Sequence, residues 1–204
     1  MVKGYHLFLD VETTGTIPGT HALIEAAAIL YQNGEEVDYY HFKQQVPNGR
    51  KVDVDALKYN GVTINDLNDK GRMIPDKNYP EGDVPAHFGG FVDFLINLPK
   101  GTTIGGHNFE FDLNFIKAEL ELYGMEGLDN ILGFDRVDTK FLATCLKEAN
   151  VLDLEKTSLH NIAEALGVKF HIAHLHAALY DAQLTAKVYF ALVELLSQLK
   201  VNNG

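Results

Sequence analysis

Cysteine is nearly absent: Cys145 is the only one in 204 residues. One thiol can form neither an internal disulfide nor a thiolate zinc site, which fits a reducing compartment. Long hydrophobic runs are missing too. The longest apolar region, Ala22 to Tyr31, is interrupted by Glu25 and is too short to cross a bilayer. Met1 to Gly4 leads directly into Tyr5-His6-Leu7-Phe8-Leu9-Asp10, which reads as a core strand and not as the apolar segment of a signal peptide. These absences place the protein in the cytoplasm with no membrane partner. Positive charge is scarce as well. Lys and Arg number 17 against 28 Asp and Glu, for a formal net charge of −11, and the arginines are Arg50, Arg72 and Arg136 alone. A broad basic face that holds long duplex by neutralising many phosphates is thereby excluded. A grip on a few terminal nucleotides is not, because it needs few cations, and acids at a metal site add negative charge that bound ions offset.

A 46% hydrophobic composition is enough for a sizeable core, and the length favours one domain over residues 1–204. The first third reads as successive strands, Tyr5 to Asp10, Ala22 to Tyr31 and Val37 to Val46, with Asn33-Gly34 as a tight hairpin turn. A short helix from Val54 to Tyr59 should stop at Gly61. Residues 68–85 collect Gly71, Pro75, Pro80, Gly82 and Pro85, which predicts a surface insertion or lid. The pattern then alternates. Phe88, Phe91, Val92, Leu95 and Ile96 recur at helical spacing, Thr102 to Gly106 reads as a strand, and Phe111 to Tyr123 as a helix. Further helices are expected at Thr139 to Glu148, at Leu159 to Leu166 between a Ser158 cap and Gly167, and from about Leu179 to Leu199. Antiparallel strands followed by βα alternation predict an α/β fold with a mixed sheet flanked by helices.

Three short motifs carry chemistry. In Leu9-Asp10-Val11-Glu12-Thr13-Thr14-Gly15 a strand ends in two acids, and the period of two puts both on one face, where they can hold a metal ion. Thr13-Thr14-Gly15 adds hydroxyls and backbone N–H groups within reach of a terminal nucleotide. An isolated D-x-E at a strand end is more often a solvated pair, since acids are mostly exposed. The second motif, His107-Asn108-Phe109-Glu110-Phe111-Asp112, opens a helix, where Asp112 alone could be no more than a macrodipole partner. In the third, His176-Ala177-Ala178-Leu179-Tyr180-Asp181, the histidine precedes the helix by too much to share a face with Asp181 and must reach it from the loop.

The order of these motifs is specific. D-x-E, then H-N-x-x-F-D, then H-x-x-x-x-D resembles the DEDDh exonucleases, the family of the DNA polymerase III proofreading subunit and of RNase T, from Leu7 to about Leu192. Asp138-Thr139 and Ser158-Leu159 fall where that family has D-T and S-L before helices, with Asp138 read as a cap and not a ligand. The resemblance implies a ribonuclease-H-like fold. It further implies two Mg²⁺ or Mn²⁺ ions held by Asp10, Glu12, Asp112 and Asp181, and His176 as general base. Val11, Thr13, Thr14, His107, Asn108 and Phe111 are the expected substrate contacts. The implied reaction is hydrolysis at single-stranded 3′ ends, DNA favoured, releasing nucleoside 5′-monophosphates. Hard cations with oxygen ligands suit in-line displacement at phosphorus, so the chemistry agrees.

An RNA-trimming enzyme shares every motif, because the choice rests on contacts to the 2′-OH. A catalytically dead binding module is disfavoured by the presence of all five motif residues. A histidine site built on His171, His174 and His176 could take zinc. The chain stops soon after Leu199, without the long extension by which a proofreading subunit would bind its polymerase, so a stand-alone enzyme is expected and a homodimer is left open.

Overall fold

A computed structural model describes residues 2–47, 49–68, 86–125 and 135–202. The expected insertion at 68–85 lies outside them except for Asn68. Five strands form one sheet in the order β3-β2-β1-β4-β5: β1 Tyr5–Thr13, β2 Leu23–Gln32, β3 Glu35–Lys43, β4 Thr103–Gly106 and β5 Arg136–Asp138. β1 pairs antiparallel with β2, and β2 with β3, whereas β1 with β4 and β4 with β5 are parallel. The expected mixed sheet is therefore present, with the switch in direction at β1.

Both faces of the central strands are apolar, and period two sorts their side chains. Leu7, Leu9 and Val11 of β1, with Ala26, Ala28 and Leu30 of β2, pack against α3 (Ala86–Ile96) and α4 (Glu110–Leu122). Phe8, with Ala27, Ile29 and Tyr31, packs against Ala178, Ala182, Ala186 and Tyr189 of the long helix α7 (Ala178–Asn202). Small alanines on α7 let the helix approach the sheet closely. Phe8 is fully buried among the rings of Tyr31, Tyr189 and Phe190, with centroids 5.2 to 5.9 Å away. Two further helices, α5 (Thr139–Glu148) and α6 (Leu159–Ala165), close a second cluster against α7 through Ala143, Leu146, Ile162, Leu184 and Val188. Two short helices follow β3: α1 (Val54–Tyr59), capped by Asp53, and α2 (Ile64–Asn68). Among the described residues, no helix is long and apolar enough to cross a membrane.

Several boundaries differ from expectation for local reasons. The β2–β3 turn is Asn33-Gly34, with φ of 54° and 90°, and β3 starts directly after it at Glu35 instead of Val37. As an edge strand it exposes most of its first half, so no alternation marks it. Its end at Lys43 instead of Val46 follows from Gln44, whose buried side chain donates to Leu23 O and to Glu119 Oε1 as the chain leaves the sheet. β1 runs on to Thr13, beyond the expected Asp10. The three-residue β5, α2 and a 3₁₀ turn at Ile172–His174 are too short to leave a periodic signal.

Candidate active site

β1 outruns its parallel neighbour, and this overshoot builds the site. The β1–β4 pairing stops at Phe8↔Gly105, so the last residues of β1 have no strand beside them on that edge. The chain leaves β4, turns through His107-Asn108-Phe109 and begins α4 level with that gap. Asp112, in the first turn of α4, accepts the orphaned Val11 N–H at 2.9 Å through Oδ1. Asp10 and Glu12 alternate with Val11 and so lie on the opposite face from it, the face covered by α7, whose first turn carries Asp181. Asp112, Glu12 and Asp181 are 3%, 7% and 8% exposed.

His176 adopts the left-handed conformation, φ 65°, which asparagine, aspartate and histidine tolerate better than most residues. Its N–H donates to Asp181 Oδ2 at 2.9 Å. The carboxylate that needs the histidine nearby thus holds the turn that brings it there. Ligand atoms of Glu12, His176 and Asp181 all lie within 4.8 Å of one another. Among the described residues, His171 and His174 join no such group. They support the loop instead: His174 lies edge-on to Tyr180, and the Tyr180 hydroxyl accepts the His171 N–H.

The electrostatics are those of an acid cluster short of cations. Burial, then the charges of Asp112, Glu12 and Asp181, raise the Asp10 carboxyl well above the usual carboxylate range. Glu12 is raised likewise by burial and then by Asp181 and Glu25. Asp112 is raised by burial against the Val11 hydrogen bond, and Asp181 is pushed up to about 6 by burial. Glu25 lies directly opposite Glu12 in the β1–β2 register. Burial would raise it too, but His41 Nε2 at 2.9 Å and Lys43 Nζ at 3.0 Å outweigh burial and hold it low. Lys43 is therefore engaged by Glu25. Asp181 Oδ1 is buried and has no hydrogen-bond partner among the described residues. Buried, crowded oxygens with one left unpaired fit a divalent cation, and these four carboxylates with His176 are the residues that could hold one.

A testable consequence follows for metal-free protein. Carboxyls raised on folding contribute stability at low pH, and that contribution is lost as pH rises through their folded values, about 6 for Asp181, with the other three also raised well above the usual carboxylate range. A cation competes with those protons, so its stabilisation should grow with pH over the same window. At about 100-fold excess over its Kd, Mg²⁺ is expected to raise Tm by about 5 to 10 °C near pH 8 and by about 1 °C near pH 5. Thermal scans with and without chelator at both pH values check this, and a shift independent of pH would contradict it.

The acids lie at one side of a cleft of about 600 Å³. Of the residues read from the sequence as substrate contacts, Val11, Thr13, His107, Asn108 and Phe111 line it. Thr14 does not. It is fully buried, and its hydroxyl accepts from Ala22 N at 2.8 Å and donates to Lys51 O at 2.7 Å, so it pins the β1–β2 connection and cannot reach a nucleotide. Thr13 likewise donates its hydroxyl to Gly15 O. Gly15 itself is required by a close approach, since a Cβ there would meet the His21 ring at 2.3 Å. His107 is pushed down to about 4 by burial and bonds Thr139 Oγ1 at 3.0 Å, a neutral strut between β4 and α5. Asp138 caps α5 through Lys140 N and Phe141 N, as read from the sequence, and also accepts Asn108 N and Phe109 N. Ser158 occupies the cap position of α6 without capping it, its hydroxyl turned instead to Asn161 Oδ1. Ala56 and Asn60, from the segment Ala56-Leu57-Lys58-Tyr59-Asn60-Gly61 that resembles RNase T, also line the cleft, as do Lys140, Thr157, His160 and Leu175, which carry no motif that would have singled them out.

A buried acid cluster lies at the carboxyl end of β1, on a mixed sheet wrapped by helices in a ribonuclease-H-like fold. The RNase_T exonuclease family model matches residues 7–78. PolC-type DNA polymerase III of Thermotoga petrophila is 28% identical over 193 residues, covering 95% of this chain and 12% of that protein. Ribonuclease T of Escherichia coli is 26% identical over 202 residues, covering 93% of this chain and 84% of the enzyme. Exonuclease I of E. coli in complex with a dT13 oligonucleotide superposes with a TM-score of 0.75 at 17% identity, over 98% of this chain and 43% of that one. The chain thus spans about an eighth of the length of the PolC-type relatives it matches. In sequence and in fold the chain is similar to known exonucleases.

Proposed function

We propose that this protein removes nucleotides one at a time from single-stranded 3′ ends, DNA favoured, releasing nucleoside 5′-monophosphates. The observation that carries the reading is the convergence of Asp10, Glu12, Asp112, Asp181 and His176 at the end of β1, in one cleft of about 600 Å³. In this reading the four carboxylates hold two divalent cations, Mg²⁺ or Mn²⁺. When bound, such a pair neutralises the acids and stabilises charge on the attacking and leaving oxygens at phosphorus. His176 takes the proton from the attacking water. Burial, then His160 nearby, lower its proton affinity, so it is unprotonated and ready at neutral pH. Glu25, held charged by His41 and Lys43, keeps β2 aligned behind Glu12. Residues 1–204 act as one catalytic domain in this account, with the cytoplasm as its compartment.

A ribonuclease reading has one specific support: the RNase T relative matches over most of its own length, whereas the PolC-type relatives match over a small part of theirs. Digestion of 5′-labelled DNA and RNA oligomers of equal sequence, in several salt concentrations, tests both. A ladder of products retaining the 5′ label is expected, with weak salt dependence, since few cations are available to follow a backbone. Faster RNA than DNA digestion would reverse the substrate preference. Cuts within a circular single strand would overturn the exonuclease assignment, and loss of the label as the first product would overturn its 3′ polarity.

A further inference from the structure

Phe141, next in the chain to the cleft-lining Lys140, is 71% exposed, whereas Ala143 and Leu146 of the same helix are buried. A lone exposed aromatic is ordinary. Its surroundings are not. The N–H groups of Phe141 and of the cleft residue Asn108 converge on one oxygen, Asp138 Oδ1, at 3.1 and 3.2 Å, which fixes Phe141 beside the cleft mouth. Between them Lys140 lines the cleft, with Nζ donating to Asn108 Oδ1 at 3.1 Å. It is the one lysine or arginine among the described cleft-lining residues of a chain with net charge −11.

We propose that Lys140 and Phe141 form a subsite for the second nucleotide from the 3′ end, Lys140 meeting its phosphate and Phe141 stacking on its base. The proposal rests on the exonuclease reading above. The terminal nucleotide occupies the cleft interior beside the carboxylates, so an exposed aromatic next to the cleft-lining Lys140 can meet only the strand upstream of it. Successive helical residues project about 100° apart, which lets one side chain face the cleft and the next face the emerging strand. Stacking on an aromatic needs no particular base, since every base has a π-face, so the subsite tolerates sequence and selects for unpaired strand. Tethering by Asp138 holds both residues on the first turn of α5, rigid with respect to the Asn108 wall.

The test compares a DNA hexamer with the p-nitrophenyl ester of thymidine 5′-monophosphate, which carries one nucleotide and has neither a base nor a further phosphate upstream of the scissile bond. Phe141→Ala is expected to raise KM for the hexamer by about 5- to 150-fold with kcat held within about twofold, the size of one lost base–aromatic stack. Ester hydrolysis should be insensitive, and Phe141→Tyr should restore hexamer KM. Lys140→Ala should make the salt dependence of hexamer kcat/KM shallower by about 0.7 in slope, as one phosphate contact on a single strand requires. Equal KM for the hexamer in wild type and Phe141→Ala, or an equal loss on ester and hexamer, would overturn the subsite while leaving the exonuclease reading standing. A wild-type protein that hydrolyses neither substrate would sink the exonuclease reading, and the subsite with it.

Discussion

Asp181→Asn is expected to lower turnover by about 10³-fold or more while leaving the metal-free protein at least as stable as wild type near neutral pH. The two effects have one cause. Asp181 Oδ1 is buried and unpaired among the described residues, and burial raises the group to about 6, so holding it ionised at pH 7 costs folding free energy. An asparagine keeps the shape and can still accept the His176 N–H that Oδ2 accepts now, but it adds no buried charge. What is lost is a ligand oxygen for a cation that acts on the scissile phosphate, worth several kcal/mol at the transition state. Asp10→Ala should remove activity to a similar extent, its carboxyl being the one pressed by all three neighbours. Turnover and chelator-treated Tm are to be measured on the same preparations. Substantial residual turnover in either variant would show that the metal assignment is wrong, and a large drop in metal-free Tm for Asp181→Asn would show that this carboxylate is structural.

Stability and activity pull apart here because the fold gathers like charges where apolar packing is otherwise complete. Leu7, Leu9 and Phe8 are fully buried one to three residues before Asp10 and four residues or so before Glu12. The same strand that centres the core therefore delivers two acids to its carboxyl end, at the point where sheet direction switches and a crevice opens, the usual position for a ligand in an open α/β sheet. Rigid packing below fixes the acids. Absence of a strand partner beyond Phe8 leaves the Val11 N–H for Asp112 to take, which ties α4 to β1.

How much of this was legible in the sequence depended on period and on chain distance. β1 and β2 announced themselves because both faces are apolar, and Asn33-Gly34 because both residues take positive φ in a tight turn. Asp10, Glu12, Asp112 and Asp181 stood out only as an ordered set of motifs. Each alone passes for a solvated acid or a helix-end charge. Glu25 was visible merely as a break in an apolar run, although it lies across from Glu12, because cross-strand neighbours are set by register and not by local pattern. Thr14 misled for a related reason: its hydroxyl is spent on Lys51, 37 residues away in the chain. Lys140, Phe141 and His160 had no motif at all. β5 and α2, three and five residues long, carry too few positions for any period to show.

Replacement of His176 is expected to lower kcat by about 10² to 10⁴, the usual worth of a positioned general base. The choice of substituent matters because His176 sits at φ 65°. Alanine there adds backbone strain, so a lost base and a disturbed turn would be confounded. Glycine relieves the strain and asparagine tolerates it. All three variants should lose activity alike if the imidazole is what acts, whereas glycine should recover most of the rate if the turn alone matters. The pH profile separates the roles further. In wild type, kcat should rise with pH through a midpoint below 6.5, since burial and then His160 lower the proton affinity of His176, and that limb should vanish in His176→Asn. His174→Ala removes a ring that packs on Tyr180 and His171→Ala one that packs on His174, the His171 N–H bond to Tyr180 being backbone and retained, and each should cost about tenfold or less. A His174 variant more damaging than His176→Asn, or an unchanged ascending limb in His176→Asn, would move the proton acceptor elsewhere in the cleft, to His160 first, as the remaining histidine that both lines the cleft and influences His176.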